Sequence, residues 1–334
     1  MVAETNAYFY THPPYPSCIQ KGTLPLPDNI KDTEIQVRIK SAALNPVDIQ
    51  LMNLPIWNLP YMGFPKGIGK DFSGVVISAG KDSGFQSGDE VFGLFMGSDR
   101  GTVAEVAVID VKKGAVVLKK PGAWSWNKAA ALPLVWLTAR TSIASVEPYI
   151  KPESKRLVVL GGSSATGMYT VHLAKQRGWT VFSTCSSRNS DFVSSMGADI
   201  VVDYTTEDVP SRVRSFTPDA IIDCVGGTSC LGIAPRYVTI VGDKTSRSTM
   251  GGSALYLTTP RMVFRKLLGM LGWGEVYDAI ILDQNPDYLK ESTSLPIEKI
   301  YVDSVFDYDD LKKAFERLDT GRTRGKVVIE VDKS

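Results

Sequence analysis

The residues best suited to chemistry lie in one stretch, Leu157-Val158-Val159-Leu160-Gly161-Gly162-Ser163-Ser164-Ala165-Thr166-Gly167. An apolar run feeds a tight Gly/Ser turn, and Met168, Val171, His172, Leu173 and Ala174 continue it at helical spacing. Strand, turn and helix in that order hold a dinucleotide pyrophosphate against a helix N-terminus. Gly162 and Gly167 take the first and third glycine positions of the usual fingerprint. Ser164 takes the second, where a small hydroxyl can itself donate to a phosphate oxygen. Ser163, Ala165 and Thr166 complete the candidate phosphate loop. The same residues also suit an ordinary strand-to-helix turn; the βαβ pattern downstream favours the cofactor.

The choice of cofactor rests on the end of the next strand. NAD-binding chains usually place Asp or Glu there, about 20 residues past the turn, on the ribose 2′-hydroxyl. Here the strand ends Ser183-Thr184-Cys185-Ser186-Ser187-Arg188-Asn189, with no carboxylate. Hydroxyls and a guanidinium are what a 2′-phosphate needs, which favours NADPH over NADH. Ser186 and Ser187 equally suit a helix cap, and both roles can hold together.

These residues need elements to carry them. Glu34 to Lys40 alternates strictly, as a half-buried strand does; Phe72 to Ile77 is a second apolar strand, and Gly88 to Gly93 turns into a third. Frequent Gly and Pro suit a small barrel-like β domain. From about Trp126 the pattern changes to an Ala- and Leu-rich helix, interrupted by Pro133, and then to short strands alternating with helices: Leu157–Leu160, Thr180–Ser183, Ile200–Asp203, Ala220–Asp223 and Tyr237–Val241. That alternation predicts a doubly wound parallel sheet. Tyr308 to Leu318 reads as helix and Lys326 to Val331 as a last strand that rejoins the N-terminal domain.

The bulk composition sets outer bounds. A length of 334 residues suggests two domains. A net charge of +1 gives no reason to expect nucleic acid. No apolar run is long enough to span a bilayer and no secretory leader pattern opens the chain, so a cytoplasmic protein without a membrane partner is expected. Cys18, Cys185, Cys224 and Cys230 are scattered and read as buried small hydrophobes. With His12 and His172 as the only histidines, no ligand cluster suggests zinc, and His172 reads as helix packing.

An ordered set of short motifs adds a family resemblance. It runs through Ala42-Ala43-Leu44-Asn45-Pro46-Val47-Asp48, Gly69-Lys70-Asp71-Phe72-Ser73-Gly74, Gly88-Asp89-Glu90-Val91-Phe92-Gly93 and Ala131-Leu132-Pro133-Leu134-Val135-Trp136-Leu137-Thr138-Ala139. The glycine turn, Met196-Gly197-Ala198-Asp199, Val202-Asp203-Tyr204 and Gly325-Lys326-Val327-Val328 close the series. The chain resembles the medium-chain dehydrogenase/reductase superfamily over nearly its whole length. The similarity is to the zinc-free quinone oxidoreductase and enoyl reductase branch, which includes fungal trans-acting enoyl reductases. The resemblance implies an α/β chain with a GroES-like, β-barrel-type catalytic domain in residues 1–123 and 263–334 and a Rossmann domain in 124–262. Zinc-dependent members carry Cys-His where this chain has Asn45-Pro46, and Gly-His-Glu where it has Gly69-Lys70-Asp71. The resemblance therefore implies no metal.

It also implies site residues. Asn45, Pro46 and Thr138 would lie near the nicotinamide. Tyr204 and the loop Ser186, Ser187, Arg188 and Asn189 would surround the adenosine 2′-phosphate, with Arg188 supplying the charge that many members place at Asn189. Cys224, Val225, Val241 and Gly242 would face the nicotinamide half, and Arg324, Gly325 and Lys326 would close over its ribose.

The implied chemistry is hydride transfer to a conjugated C=C bond or a quinone, with donors stabilising the enolate. Asn45 and Tyr61 are the catalytic candidates, Tyr61 as proton donor or, equally, as packing. Trp57, Trp136, Met270 and Trp273 are candidate walls of a hydrophobic pocket, or core and interface packing. The substrate expected is small and hydrophobic, free or carrier-bound; a carrier would call for a basic patch from Lys66, Lys70, Arg261, Arg265 and Lys266. A monomer or homodimer is expected. The alternatives are a carbonyl reductase or alcohol dehydrogenase, and a non-catalytic NADPH-binding module. Tyr61→Phe is expected to slow steady-state enone reduction; an unchanged rate returns Tyr61 to packing.

Overall fold

The computed structural model describes residues 4–54, 65–97, 100–243 and 259–333. The chain divides into two units. Residues 4–134 and 284–333 belong to the first; 135–243 and 259–283 belong to the second.

The first unit begins with β1 (Glu4–Tyr10), β2 (Ile19–Pro25), β3 (Glu34–Leu44), α1 (Pro46–Met52), β4 (Lys66–Gly67), β5 (Asp71–Ala79), β6 (Glu90–Phe95), β7 (Val106–Asp110), β8 (Ala115–Lys119) and α2 (Trp126–Ala130). Helix α3 (Pro133–Val146) starts in this unit and carries the chain into the other. The seven-stranded sheet runs β15-β16-β3-β5-β6-β8, with β7 also on β3, where β15 is Val302–Asp307 and β16 is Lys326–Glu330. A smaller sheet runs β2-β1-β4.

Strand β3 follows its sequence pattern. Ile35, Val37 and Ile39 are buried and alternate with more exposed neighbours, whereas Ser41 to Leu44 are buried on both faces. At this end Val327 of β16 pairs with Leu44, and Asp71 of β5 pairs with Ala43, both antiparallel. This register puts Asn45, Asp71 and Lys326, three strand ends far apart in sequence, at one corner of the sheet.

The second unit contains β9 (Arg156–Leu160), α4 (Ala165–Gln176), β10 (Thr180–Cys185), α5 (Ser190–Ser195), β11 (Ile200–Asp203), α6 (Val209–Phe216), β12 (Ala220–Asp223), β13 (Arg236–Thr239), α7 (Pro260–Met270) and β14 (Val276–Ala279). The sheet order is β11-β10-β9-β12-β13-β14 and every pair is parallel. Counted from β9 this is the doubly wound order 3-2-1-4-5-6. Its strands are apolar runs because helices cover both faces of such a sheet. The chain then returns to the first unit through α8 (Pro286–Glu291), β15, α9 (Leu311–Asp319) and β16.

The domain limits differ from those expected at both junctions. Residues 263–283 lie with the parallel sheet, because α7 is the crossover that lets β14 add to β13. Residues 124–134 lie with the first unit. There Ser73 Oγ donates to Trp126 O (2.7 Å), and Asn127 accepts from Ser41 Oγ (2.6 Å) while donating to Glu330 (2.7 Å). All four cysteines are buried free thiols.

Candidate active site

The second unit gathers its chemistry at the carboxyl ends of its strands. Gly161, straight after β9, has φ +85°, and a Cβ there would lie 2.2 Å from Val225 Cγ1. A Cβ on Gly162 would lie 2.1 Å from Ser183 Oγ. The turn is tied to β10 by Gly161 N–H donating to Thr184 Oγ1 and Gly162 N–H to Thr184 O, both at 2.9 Å. Ser164 is the N-cap of α4, its oxygen accepting Gly167 N–H at 3.0 Å. Accepting this bond leaves the Ser164 hydroxyl proton available for donation. Ala165 and Thr166 supply first-turn N–H groups with no intrahelical acceptor, at the positive end of the helix. A side-chain-free turn facing such a helix end fits a pyrophosphate.

Beside it, Ser186 precedes a single helical turn, Ser187–Asn189, closed by Asn189 N–H donating to Ser186 O (2.8 Å). Asp203, at the end of β11, accepts Thr205 Oγ1 (2.7 Å), Thr205 N–H (2.8 Å) and Ser187 N–H (3.0 Å). The Thr205 bonds hold this carboxyl below its ordinary range. Tyr204 N–H donates to Cys185 O (3.1 Å), and its ring is exposed. Arg188 is exposed on the same rim. Hydroxyls, a guanidinium and an aromatic face therefore share the ends of β10 and β11.

A residue without a role in the sequence reading organises the next two strand ends. Asp223 Oδ1 accepts Val225 N–H (3.0 Å) and Gly226 N–H (2.8 Å), and Oδ2 accepts Thr239 Oγ1 (2.8 Å). Thr239 Oγ1 in turn accepts Val241 N–H (3.1 Å) and Gly242 N–H (2.9 Å), which ends β13 two residues before the expected Val241. Burial pushes the Asp223 carboxyl up, and the same hydrogen bonds oppose that. Cys224 is a buried neutral thiol, its pKa raised by desolvation. Thr138 is buried on α3. Trp136 packs on Tyr169 with ring centroids 5.7 Å apart, so it is a core residue of this unit and not a pocket wall. Met270 and Trp273 stand out from α7 and its following turn, largely exposed.

The first unit contributes the corner set by the β3 register. Asp71 is fully buried: Oδ1 accepts Leu134 N–H (2.8 Å) in the first turn of α3, and Oδ2 accepts Asn45 Nδ2 (3.0 Å) and Lys326 Nζ (2.8 Å). Lys326 also donates to Asn45 Oδ1, and Asn45 Nδ2 donates weakly to Ala43 O (3.3 Å). The Asn45 amide is thus engaged by Asp71, Lys326 and Ala43 O in this structure. Pro46 opens α1, and Asp48 Oδ2 accepts Asn45 N–H (2.8 Å). Asp48 Oδ1 has no hydrogen-bond partner among the described residues. Desolvation pushes the Asp48 carboxyl up to about 6, opposed by Lys70, the Asn45 N–H and Lys326. Burial in turn lowers the pKa of Lys70, whose ammonium donates to Gly97 O (3.0 Å). Lys66 and Lys70 are both buried, which removes them from any surface patch. Arg324 N–H donates to Asp303 (2.8 Å), and Gly325 has φ +96°. Tyr61 and Trp57 lie outside the described residues.

This donor set does not suit zinc. Asn45, Lys70 and Asp71 offer an engaged amide, an ammonium without a lone pair, and a carboxylate already paired with Lys326. Among the described residues no group of three or more His, Cys, Asp or Glu side chains could hold a metal.

Comparisons with known proteins agree with this architecture. Residues 31–122 match the family described as alcohol dehydrogenase GroES-like domain, and residues 196–329 match zinc-binding dehydrogenase. The chain is 31% identical to trans-enoyl reductase pgmF of Aspergillus terreus, over 93% of this chain and 90% of that protein. It is 30% identical to the mitochondrial NAD(P)H oxidoreductase RTN4IP1 of Mus musculus, over 89% and 82% respectively. Among solved structures, the quinone oxidoreductase of Coxiella burnetii superposes with a TM-score of 0.81 at 26% identity, covering 99% of this chain and 100% of that one.

Two substitutions test the corner. Asp71→Asn strands the buried Lys326 ammonium and is expected to cost about 3–5 kcal/mol. It should lower the thermal midpoint, and adding Lys326→Met should recover part of the loss. An unchanged midpoint for the single variant would remove Asp71 from its central position. Asp48 acts in the opposite sense. Its folded pKa lies above the ordinary 3.8, so the native state holds the proton more tightly and stability falls as pH rises from about 4 to about 6. Asp48→Asn should abolish that slope, on the order of 2–3 kcal/mol, read from denaturation midpoints at several pH values.

Proposed function

The chain belongs to the medium-chain dehydrogenase/reductase superfamily, and from that premise we propose that it is an NADPH-dependent, zinc-free reductase of conjugated C=C bonds or quinones. It is an NAD(P)H-dependent oxidoreductase. The finer reading is supported above all by the occupied, non-ligating corner at Asn45, Lys70 and Asp71. A conjugated acceptor spreads the incoming charge through its own π-system and needs alignment and donors more than a Lewis acid. Names of relatives point the same way: a trans-enoyl reductase and a quinone oxidoreductase.

The phosphate turn and the first turn of α4 would hold the pyrophosphate, with Ser186, Ser187 and Arg188 on the 2′-phosphate and the exposed Tyr204 ring beside the adenine. When bound, the nicotinamide supplies hydride to the electron-poor carbon. Asp223 and Thr239 keep the turns after β12 and β13 in one conformation, so that Val225 and Gly242 present a fixed wall. On the catalytic side, Asp71 and Lys326 fix Asn45 and the start of α1, and Tyr61 remains the candidate proton donor. A hydrophobic acceptor fits this chemistry; nothing in it requires a charged substrate.

The direct test is oxidation of NADPH and NADH by chelator-treated protein with an enone, an enal, an enoyl thioester, a quinone and a simple ketone. Turnover of the conjugated acceptors with NADPH, insensitive to chelation, is expected. Activity on the ketone alone, or activity lost to the chelator, overturns the proposal. Arg188→Ala should weaken NADPH binding by roughly tenfold or more and NADH binding by less than about twofold, as loss of one charge-assisted phosphate contact predicts. Equal losses for both would refute the 2′-phosphate role.

A further inference from the structure

We propose that the outer face of α7 docks the chain onto an anionic lipid surface. Only Met262 and Gly269 of this helix are buried. Val263, Phe264, Leu267, Met270, Leu271 and Trp273 are exposed, with Phe264 at 62%, Met270 at 73% and Trp273 at 74%. Val263, Leu267 and Met270 recur at helical spacing, as do Phe264, Leu267 and Leu271, so they form one continuous apolar face. Trp273 extends it from a turn between Gly272 (φ +76°) and Gly274 (φ +157°), neither of which has an atom within 4 Å of its Cβ position. An isolated exposed apolar side chain is ordinary; six on one face mark a contact surface.

Charge selects the occupant. Between residues 259 and 274 the sequence has three basic residues, Arg261, Arg265 and Lys266, and no acidic one. Arg261 is exposed and has no ion pair among the described residues. Arg265 and Lys266 are held at the flanks by Asp243 and Asp278, each at 2.8 Å, which leaves no carboxylate on the apolar face itself. A second copy docking through a two-fold axis would bring this face against itself and set Arg261 near its own duplicate. A phosphate-bearing surface offers the complementary sign, with an apolar layer beneath for Phe264, Leu267 and Trp273. Aromatic and Leu side chains on one side with basic residues beside them are the composition of a helix lying in a membrane interface. A bilayer-spanning run was not expected from the sequence; the stretch Trp126–Tyr149 is long and apolar enough by length and composition, but it is mostly buried, and neither point bears on a helix lying in an interface.

The test is flotation of the full chain with vesicles of phosphatidylcholine alone and with about 30 mol% phosphatidylserine. The chain is expected to float with the anionic vesicles and to be released by salt. Phe264→Ser with Leu267→Ser, and separately Arg261→Glu, should lower the bound fraction about fivefold or more while the thermal midpoint stays unchanged. The emission lost in Trp273→Phe should shift to the blue when anionic vesicles are added to the unsubstituted chain. Absence of flotation with both vesicles overturns the proposal. So does equal binding to neutral vesicles, or a vesicle-independent dimer in sedimentation velocity that Phe264→Ser dissolves.

Discussion

A carboxylate with no access to water must find its counter-charge and donors inside the protein, and Asp71 does so through three separate segments. The end of β3 supplies the Asn45 amide, the first turn of α3 supplies the Leu134 N–H, and the start of β16 supplies the Lys326 ammonium. Desolvating one carboxylate and one ammonium is costly unless the geometry is good and the remaining lone pairs are used. Each donor therefore constrains the others. Asn45 cannot rotate without releasing Lys326, and α1 cannot move without Asn45, because Asp48 reaches back to its N–H. The same electrostatics leave little for a metal to do at this corner, since the charge it would neutralise is already neutralised.

The nucleotide unit uses a related device with weaker stakes. Asp223 is buried, but it is satisfied by two backbone N–H groups and a threonine hydroxyl instead of a cation. Its reach into the turn after β12, and through Thr239 into the turn after β13, makes two neighbouring strand ends behave as one piece. On the other side of β9, Asp203 does the same for the loop carrying Ser187 and for the turn after Tyr204. In each case a carboxylate at a strand end fixes local geometry.

Much of this was legible in the sequence. The glycine turn, the alternation of β3 and five of the six parallel strands follow from local periodicity; β13 ends two residues early, and β14 was not foreseen. The long-range features were not. Nothing local distinguishes Asp71 from a surface aspartate; only the β3 register puts it beside a lysine that follows it by 255 residues. Ser164 was read from the glycine fingerprint, and the capping bond to Gly167 that uses its oxygen is a property of the helix start. The limit drawn at residue 263 failed because an amphipathic helix such as α7 looks the same whether it covers a sheet of one unit or another. Trp136 and Trp273 show the same ambiguity for single aromatics: one is core, the other exposed, and composition alone treats them alike.

The return of the chain to its first sheet sets an order of assembly. Strand β16 lies between β15 and β3, so the sheet of the first unit lacks an interior strand until residues 326–330 have been made. The described residues of the second unit all lie between 135 and 283, so they are made earlier. On a ribosome adding about 5–20 residues per second, Asp71 would emerge some ten to fifty seconds before its lysine. During that interval the nascent N-terminal segment holds a carboxylate that cannot yet be buried. The unit made first is thus the unit completed last, and its closure reports that synthesis has passed the nucleotide fold.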